Sequence, residues 1–152
     1  MSRQSRYALS AGLVILWSVS LSAQNITGTW KRTAMVIEKS DGSKSDSYPR
    51  QLKVNPCVAT ITYSYTADGK LTTNAPDCGR MKEAIESQNG KTTWRQNGSR
   101  VSISSSDVSL PAQLHVVSVD GNTMTWVLTY ADNPKIPNPT NAKTLTTVYK
   151  RQ

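Results

Sequence analysis

The stretch Gly28-Thr29-Trp30-Lys31, within the run ITGTWKRTAMVI at residues 26–37, decides how this chain can fold. The run is dense in Ile, Val and Thr and shows no helical period, so it predicts a β-strand over 28–38. Trp30 stands near the start of that strand, where a large ring typically plugs one end of a core. Gly28 lets a neighbouring backbone come close. We expect the remaining strands to wrap around Trp30.

The first residues have the pattern of a secretory signal peptide. Two arginines precede an apolar run, 8–21, of the length expected for the hydrophobic region. Small residues follow, so cleavage is expected after Ser22 or Ala23. We prefer Ala23, which gives a signal peptide at 1–23 and one domain at 24–152. A retained anchor is the alternative, but the apolar run is shorter than a full membrane span. We therefore expect export to a periplasm or the cell exterior, with no integral membrane segment after cleavage.

The predicted export bears on the interpretation of the two cysteines, Cys57 and Cys78, because the periplasm and the cell exterior are oxidising. An exported pair is more typical of a disulfide than of a metal site, and the spacing is not that of a redox motif. Free thiols or a redox pair remain the alternative. A bridge closing this loop would contribute roughly 3 kcal/mol by the chain-entropy relation.

Two hairpins are located by asking which turn keeps the apolar side chains of both strands on one face. Asn97-Gly98 is a strong hairpin signal, and a two-residue loop there pairs Trp94 with Val101. Near Gly121, a two-residue loop at 120–121 or 121–122 also keeps one apolar face. That face carries Val117, Val119, Met124, Trp126, Leu128 and Tyr130.

A third hairpin, at Asp68-Gly69, needs a longer loop. A two-residue loop would put Tyr65 and Leu71 on opposite faces. A three-residue loop at 67–69, with Gly69 left-handed in a bulge, brings them together.

These hairpins belong to a predicted series of short strands. The strands are expected at 28–38, 57–66, 70–75, 90–96, 99–105, 111–119, 123–131 and 143–151. A short helix is expected around 80–87, with loops at 40–47 and 133–141. Eight short antiparallel strands with hairpin spacing predict a closed barrel or a sandwich.

The ordered motifs resemble those of lipocalins and the wider calycin group, in particular the small secreted bacterial lipocalin-like domains. The matching motifs are Gly28-Thr29-Trp30-Lys31, Cys57, 62–65, 68–70, Cys78, 93–94, 124–126 and 149–151. The resemblance implies an all-β, eight-stranded antiparallel up-and-down barrel. It also implies that a basic side chain of the last strand lies over the first-strand tryptophan. Arg151, with Lys150 second, matches that position and would close the barrel at Gly28 and Trp30.

The chain departs from full-length lipocalins in two respects. Few residues precede the G-x-W motif to form the usual capping helix. No equivalent is seen of the long helix packed outside the barrel. Both differences bear on how wide and how open an interior would be.

The basic excess, with 18 Lys and Arg against 10 Asp and Glu, raises the question of nucleic-acid binding. Small barrels that bind nucleic acid combine basic grooves with exposed stacking aromatics. Here the aromatics are predicted to point inward and the chain to be exported, so nucleic acid is not an expected partner. Lys31-Arg32, Arg95 and Arg100 are interpreted as parts of a solvated basic surface, attracted to anionic envelope components.

Catalytic and metal-binding patterns are absent from the sequence. His115 is the only histidine, and alternation puts it on the apolar face with Val117 and Val119. One histidine without a free cysteine lacks the usual ligands of a transition metal, and no nucleophile–base–acid set can be assembled around it. We expect no enzyme activity, no cofactor and no metal.

The function predicted is therefore binding of a small apolar or amphipathic molecule inside the barrel. The expected interior residues are Tyr63, Tyr65, Trp94, His115, Trp126, Leu128, Tyr130 and Tyr149. The alternative is a structural or surface-interaction barrel whose interior is filled by its own side chains. An interior volume well below ~300 Å³ would favour that alternative.

Overall fold

The computed structural model describes residues 25–107 and 111–152, so the predicted signal peptide lies outside the described residues. Within these ranges the chain forms nine strands and two α-helices. The strands are β1 (Gly28–Lys39), β2 (Lys44–Asp46), β3 (Thr62–Tyr65), β4 (Lys70–Asn74), β5 (Thr92–Asn97), β6 (Arg100–Ser105), β7 (Gln113–Asp120), β8 (Thr123–Thr129) and β9 (Ala142–Arg151). The helices are α1 (Tyr48–Val54) and α2 (Lys82–Gly90), and 3-10 turns lie at Pro56–Thr60, Gly79–Met81 and Tyr130–Asp132.

Eight of the strands close into an antiparallel up-and-down barrel, which confirms the predicted fold class. Their order is β1-β3-β4-β5-β6-β7-β8-β9, and β9 pairs with β1 to complete the ring. The short β2 pairs only with the far half of β1, through residues 36–38. Closure removes the open sheet edges and turns the face of alternate residues into an interior.

The long pairing between β1 and β9 contains a bulge. Arg32 pairs with Tyr149, but the next pair is Ala34 with Val148, so Thr33 is an extra residue on β1. A bulge shifts the alternation of side chains by one position. As a result Arg32 and Met35, which are three residues apart, both face the barrel interior.

One end of the barrel is closed by Trp30, whose side chain is fully buried. Its indole N–H donates to the Ile26 carbonyl at 2.9 Å, so the ring is fixed as well as covered. Met124, Val101 and Val117 belong to the same core cluster. This cluster forms the floor of the interior, and the rest of the barrel is built above it.

Arg151 covers Trp30 from the last strand, as the family resemblance implied. The guanidinium carbon lies 4.1 Å from the ring centroid, and Nη1 donates to the Thr27 carbonyl at 3.0 Å. Gly28 has φ +125, and a Cβ there would stand 2.5 Å from Arg151 Nη1. The backbone conformation therefore favours glycine, and a side chain at this position would also displace the guanidinium from its place against residue 28.

The predicted disulfide between Cys57 and Cys78 is present, with the two Cα atoms 5.1 Å apart. It joins the 3-10 turn before β3 to the turn before α2. Cys78 is buried beside Ile61 and Ala75 in a second small cluster. The bridge thus holds α2 and its turn against the barrel wall.

Several predicted boundaries differ from the structure between β1 and β5. The predicted strand 57–66 keeps only Thr62–Tyr65, because Pro56–Thr60 forms a 3-10 turn. The polar segment at 48–56, which contains two prolines, includes α1. A proline stands in the first turn of this helix, where a missing backbone N–H is tolerated. Burial of Tyr48 against the barrel stabilises that helix, and alternation along the chain does not reveal such a contact.

Two hairpin predictions are confirmed, and the register of the third is wrong. Tyr65 pairs with Leu71 around a left-handed Gly69, and the Gly121 hairpin has its loop at 121–122. The remaining hairpin turns at 98–99, and Trp94 pairs with Ile103 instead of Val101. The error is two residues, which leaves every side chain on its predicted face. Alternation alone cannot distinguish registers that differ by two.

Replacing both Cys57 and Cys78 by alanine is expected to lower the unfolding free energy by roughly 3 kcal/mol, because the unfolded chain gains the freedom of the open loop. Circular dichroism should still show β-structure, since the barrel closes without the bridge. Urea unfolding of the oxidised wild type and the double variant measures the difference. Two alkylatable thiols in the intact mass of the native wild type would contradict the bridge itself.

Arg151→Ala is expected to destabilise the protein by about 1–2 kcal/mol, through loss of the cation–π contact and of cover over the core. Lys150→Ala is the matched control, because Lys150 is exposed and its amino group reaches only the Thr123 hydroxyl. Thermal unfolding of both variants tests the contact. Equal destabilisation by the two substitutions would show that Arg151 does not cover Trp30 in solution.

Candidate functional site

A cavity of about 330 Å³ lies inside the barrel, above the Trp30 floor. Aromatic rings from four different strands line it, together with aliphatic side chains. The rings are Tyr63, Tyr65, His115, Trp126 and Tyr149. The aliphatic residues are Met35, Leu71, Ile103, Leu128 and Leu145. The cavity therefore offers mostly apolar contact surface with a few polar atoms, as small-molecule sites usually do.

The aromatic rings pack against one another rather than standing singly. Tyr65 stacks on Trp126 with centroids 5.2 Å apart, and His115 meets the same indole edge-on at 5.1 Å. Tyr63 and Tyr149 form a second edge-on pair at 5.6 Å. Such pairs restrain each ring, so this part of the lining is pre-formed.

The buried tyrosines remain neutral. Burial raises the pKa of Tyr65 well above its ordinary value, and burial also raises the pKa of Tyr149. The two hydroxyl groups form a hydrogen bond with each other, which adds to the rise in the pKa of Tyr65 and partly offsets the rise in the pKa of Tyr149. These groups act as hydrogen-bond donors and acceptors, and neither supplies a phenolate.

His115 is also neutral. Burial lowers its pKa from 6.5 to about 4. Its Nε2 lies 3.1 Å from the Gln113 side-chain oxygen, an acceptor, so Nε2 carries the proton and Nδ1 presents a lone pair. The imidazole is thus a hydrogen-bonded part of the wall, with one acceptor atom left over.

Arg32 is the only charged side chain in the described part of the cavity lining. Its guanidinium carbon lies 5.4 Å from the Tyr48 ring centroid and 5.9 Å from that of Tyr63. Nη1 points at the Met35 sulfur, 3.8 Å away. Within the described residues Arg32 forms no salt bridge.

Arg32 was interpreted from the sequence as solvated surface, and the structure corrects this. Trp30 faces inward, and a residue two positions along a strand shares its face. The alternation of side chains along β1 therefore predicts that Arg32 also faces inward. It was overlooked because a Lys-Arg pair usually lies in solvent. The neighbouring Lys31 does fall on the alternate position.

Three buried side-chain atoms in the described ranges have no hydrogen-bond partner in the protein. They are Arg32 Nε, His115 Nδ1 and Trp126 Nε1. All three residues line the cavity. Buried polar atoms are nearly always satisfied, so three exceptions in one cavity indicate a surface prepared for polar contacts with something inside it.

Six of the eight predicted interior residues line the cavity, and two lie elsewhere. The six are Tyr63, Tyr65, His115, Trp126, Leu128 and Tyr149. Trp94 faces inward but contacts Tyr65 at the closed end, where its indole N–H donates to the Lys70 carbonyl. Tyr130 falls in a 3-10 turn, because β8 ends at Thr129.

The part of the cavity lining outside the strands comes from α2 and Pro111 and not from the two long loops. Gln88 and Asn89 of α2, with Pro111, contribute to the lining, whereas 40–47 and 133–141 do not. Asn133 explains part of this, because its side chain bonds the backbone of Leu114 and Thr129 and ties its loop to the barrel rim.

The described residues include neither a group of side chains that could hold a metal ion nor a helix that could span a membrane. No cluster of three or more His, Cys, Asp or Glu side chains is placed there to hold a metal ion. Neither described helix is long and apolar enough to cross a membrane.

Acid should destabilise the protein through His115. The unfolded chain takes up a proton near pH 6.5, whereas the folded chain takes it up only near pH 4. The unfolding free energy therefore falls as the pH drops from about 6.5 to about 4, by about 1–3 kcal/mol from this group. His115→Gln removes that contribution. Denaturant unfolding of wild type and variant between pH 7 and pH 4 should give curves that diverge in this window. Parallel curves would contradict the lowered pKa.

Comparison with known proteins agrees with the barrel fold. The family model of the lipocalin-like domain matches residues 26–126, about two-thirds of the chain. The match runs from just before the Trp30 strand to Trp126 in β8. No curated protein and no solved structure matches the chain. On the family match, supported by the eight-stranded barrel, this protein belongs to the lipocalin-like domain family.

Proposed function

We propose that this protein is an exported, non-catalytic binding protein that holds a small apolar or amphipathic molecule inside its barrel. The observation that carries the proposal is the cavity of about 330 Å³ between the Trp30 floor and the rim. Ligand pockets begin at roughly 300 Å³, so the interior has the volume of a small site. A barrel filled by its own side chains, the alternative function, would have less.

The lining suits such a ligand. Leu128 and the ring stack of Tyr65 and Trp126 supply apolar contact, while Tyr63, Tyr149 and His115 add polar atoms to orient what binds. At ~30 Å³ for each water in the liquid, the cavity corresponds to roughly ten water molecules. We therefore propose a ligand of moderate size.

Export is part of the proposal and rests on two separate features. The first is the signal-peptide pattern at 1–23. The second is the Cys57–Cys78 disulfide, because disulfides persist in oxidising compartments such as a periplasm or the cell exterior. An excess of basic residues would hold the protein near anionic envelope components.

Thr146 and Thr147 allow a matched test of the interior site. Thr147 lines the cavity and pairs with Trp126, whereas Thr146 occupies the alternate position on β9 and is absent from the lining. Thr147→Phe should weaken binding of the neutral dye N-phenyl-1-naphthylamine by roughly tenfold or more, because the added ring takes up ligand space. Thr146→Phe should leave binding near the wild-type value.

Dye fluorescence and quenching of Trp126 emission measure this binding, and circular dichroism checks that both variants fold. Equal affinity of the two variants and the wild type would place the dye outside the barrel. Failure of the wild type to bind this or any other small apolar probe would favour the filled, surface-interaction barrel.

A further inference from the structure

We propose that the ligand of this cavity carries a carboxylate, and that Arg32 binds it. This inference rests on the proposed function, since it names the chemical class that the interior site accepts. It concerns a side chain that sequence reasoning assigned to the solvated surface.

The charge of Arg32 favours an anionic ligand. Arg32 is a permanent cation in the cavity wall, and the remaining lining residues of the described chain include no acid. Arg32 is half-buried and its Nε is buried. A charge partly removed from water without an opposite partner is costly, and an anion in direct contact relieves that cost. Because the described residues supply no carboxylate to Arg32, a ligand is the natural source of one.

The guanidinium of Arg32 also retains hydrogen-bonding capacity. The faces of Tyr48 and Tyr63 stabilise the cation. The Tyr48 hydroxyl also forms a hydrogen bond with the Arg32 side chain, which leaves the Nε side of the guanidinium available. Nε has no partner in the protein, and Nη1 is directed at a thioether sulfur, which is a weak acceptor. Arginine binds carboxylate through two parallel N–H···O bonds, and Arg32 retains donors for that geometry.

The position of Arg32 in the cavity wall also suits a bound anion. Alternation from Trp30 places Arg32 on the inner face, and the bulge at Thr33 returns Met35 to the same face. The pairing of β3 with β1 ends at Lys31, so β3 does not pair with β1 at Arg32. There the Tyr48 ring of α1 lies against the guanidinium. The cation is therefore held in the wall by contacts on its faces, with its edge left for a ligand.

The rest of the cavity fits the apolar part of such a ligand. Ile103 lies on β6, which is four strands from β1 in either direction around the barrel. Leu71, Leu128 and Leu145 extend the aliphatic surface. His115 Nδ1 is a lone-pair acceptor and repels an anion, so the carboxylate belongs at Arg32 and not at the imidazole. The ligand class is thus an amphipathic acid with a moderate aliphatic or aromatic tail.

The test compares two probes that share a tail and differ in the head group, decanoate and decanol. Each is titrated by displacement of N-phenyl-1-naphthylamine at neutral pH. Wild type should bind decanoate at least roughly tenfold more tightly than decanol, and decylammonium should bind more weakly than decanol. These measurements need no variant, so they decide the charge preference directly.

The variants then assign that preference to one side chain. Arg32→Gln should weaken decanoate binding by roughly tenfold or more and leave decanol binding nearly unchanged. Arg32→Lys keeps the charge and should retain part of the preference. Lys31→Gln removes the same charge one residue away on the alternate face of β1 and should change neither affinity.

Equal affinity of wild type for decanoate and decanol would overturn the inference while leaving the proposed interior site intact. A decanoate preference that survives in Arg32→Gln and disappears in Lys31→Gln would also overturn it. Failure of decanoate, decanol and the neutral dye to bind at all would overturn the proposed function along with it.

Discussion

The structure depends on the closure of the sheet between its first and last strands. At the narrow end, Arg151 lies on Trp30 and bonds the Thr27 carbonyl, while Gly28 leaves the room that the guanidinium requires. Strand pairing alone would close the ring, but it would leave the large indole uncovered at the end of the core. With this cover in place, the apolar faces of eight strands become one interior. Which side chains lie inside the barrel depends on that closure.

The bulge at Thr33 decides what kind of interior this is. Strict alternation from Trp30 brings Arg32 inside and would turn Met35 away, whereas the extra residue brings both inside. Met35 then presents its sulfur to Nη1, and Tyr48 of α1 covers the guanidinium. The inserted residue brings Met35, and the short helix brings Tyr48, into contact with a cation in a wall whose other described residues carry no charge. Bulges commonly re-aim side chains next to functional sites, and this one does so in the strand that also closes the barrel.

Sequence reasoning was most successful where it depended only on the alternation of side chains. It placed Trp94 on the inner face even though the register of its hairpin was wrong by two residues, because such an error preserves the face. It failed for α1, which is stabilised by the burial of Tyr48. It also failed for Arg32, because the expectation that a Lys-Arg pair lies in solvent was given more weight than the alternation of side chains. It also extended β8 to Tyr130, since nothing local marks the change to a 3-10 turn. The errors share a cause, which is that tertiary contacts override local pattern.

The cavity also shows where the barrel gives up stability. A wall optimised for packing would carry no orphaned polar atoms, yet Arg32 Nε, His115 Nδ1 and Trp126 Nε1 all lack a partner in the protein. Elsewhere in the described chain, comparable groups are satisfied, as with the Trp30 and Trp94 indoles. Binding sites characteristically hold such unfavourable groups, because satisfying them within the protein would remove the means of recognising a ligand. A ligand that forms hydrogen bonds with Arg32 would bind only the folded state, so its binding would raise the free energy of unfolding. The same atoms that lower the stability of the empty barrel would therefore raise it when the cavity is filled.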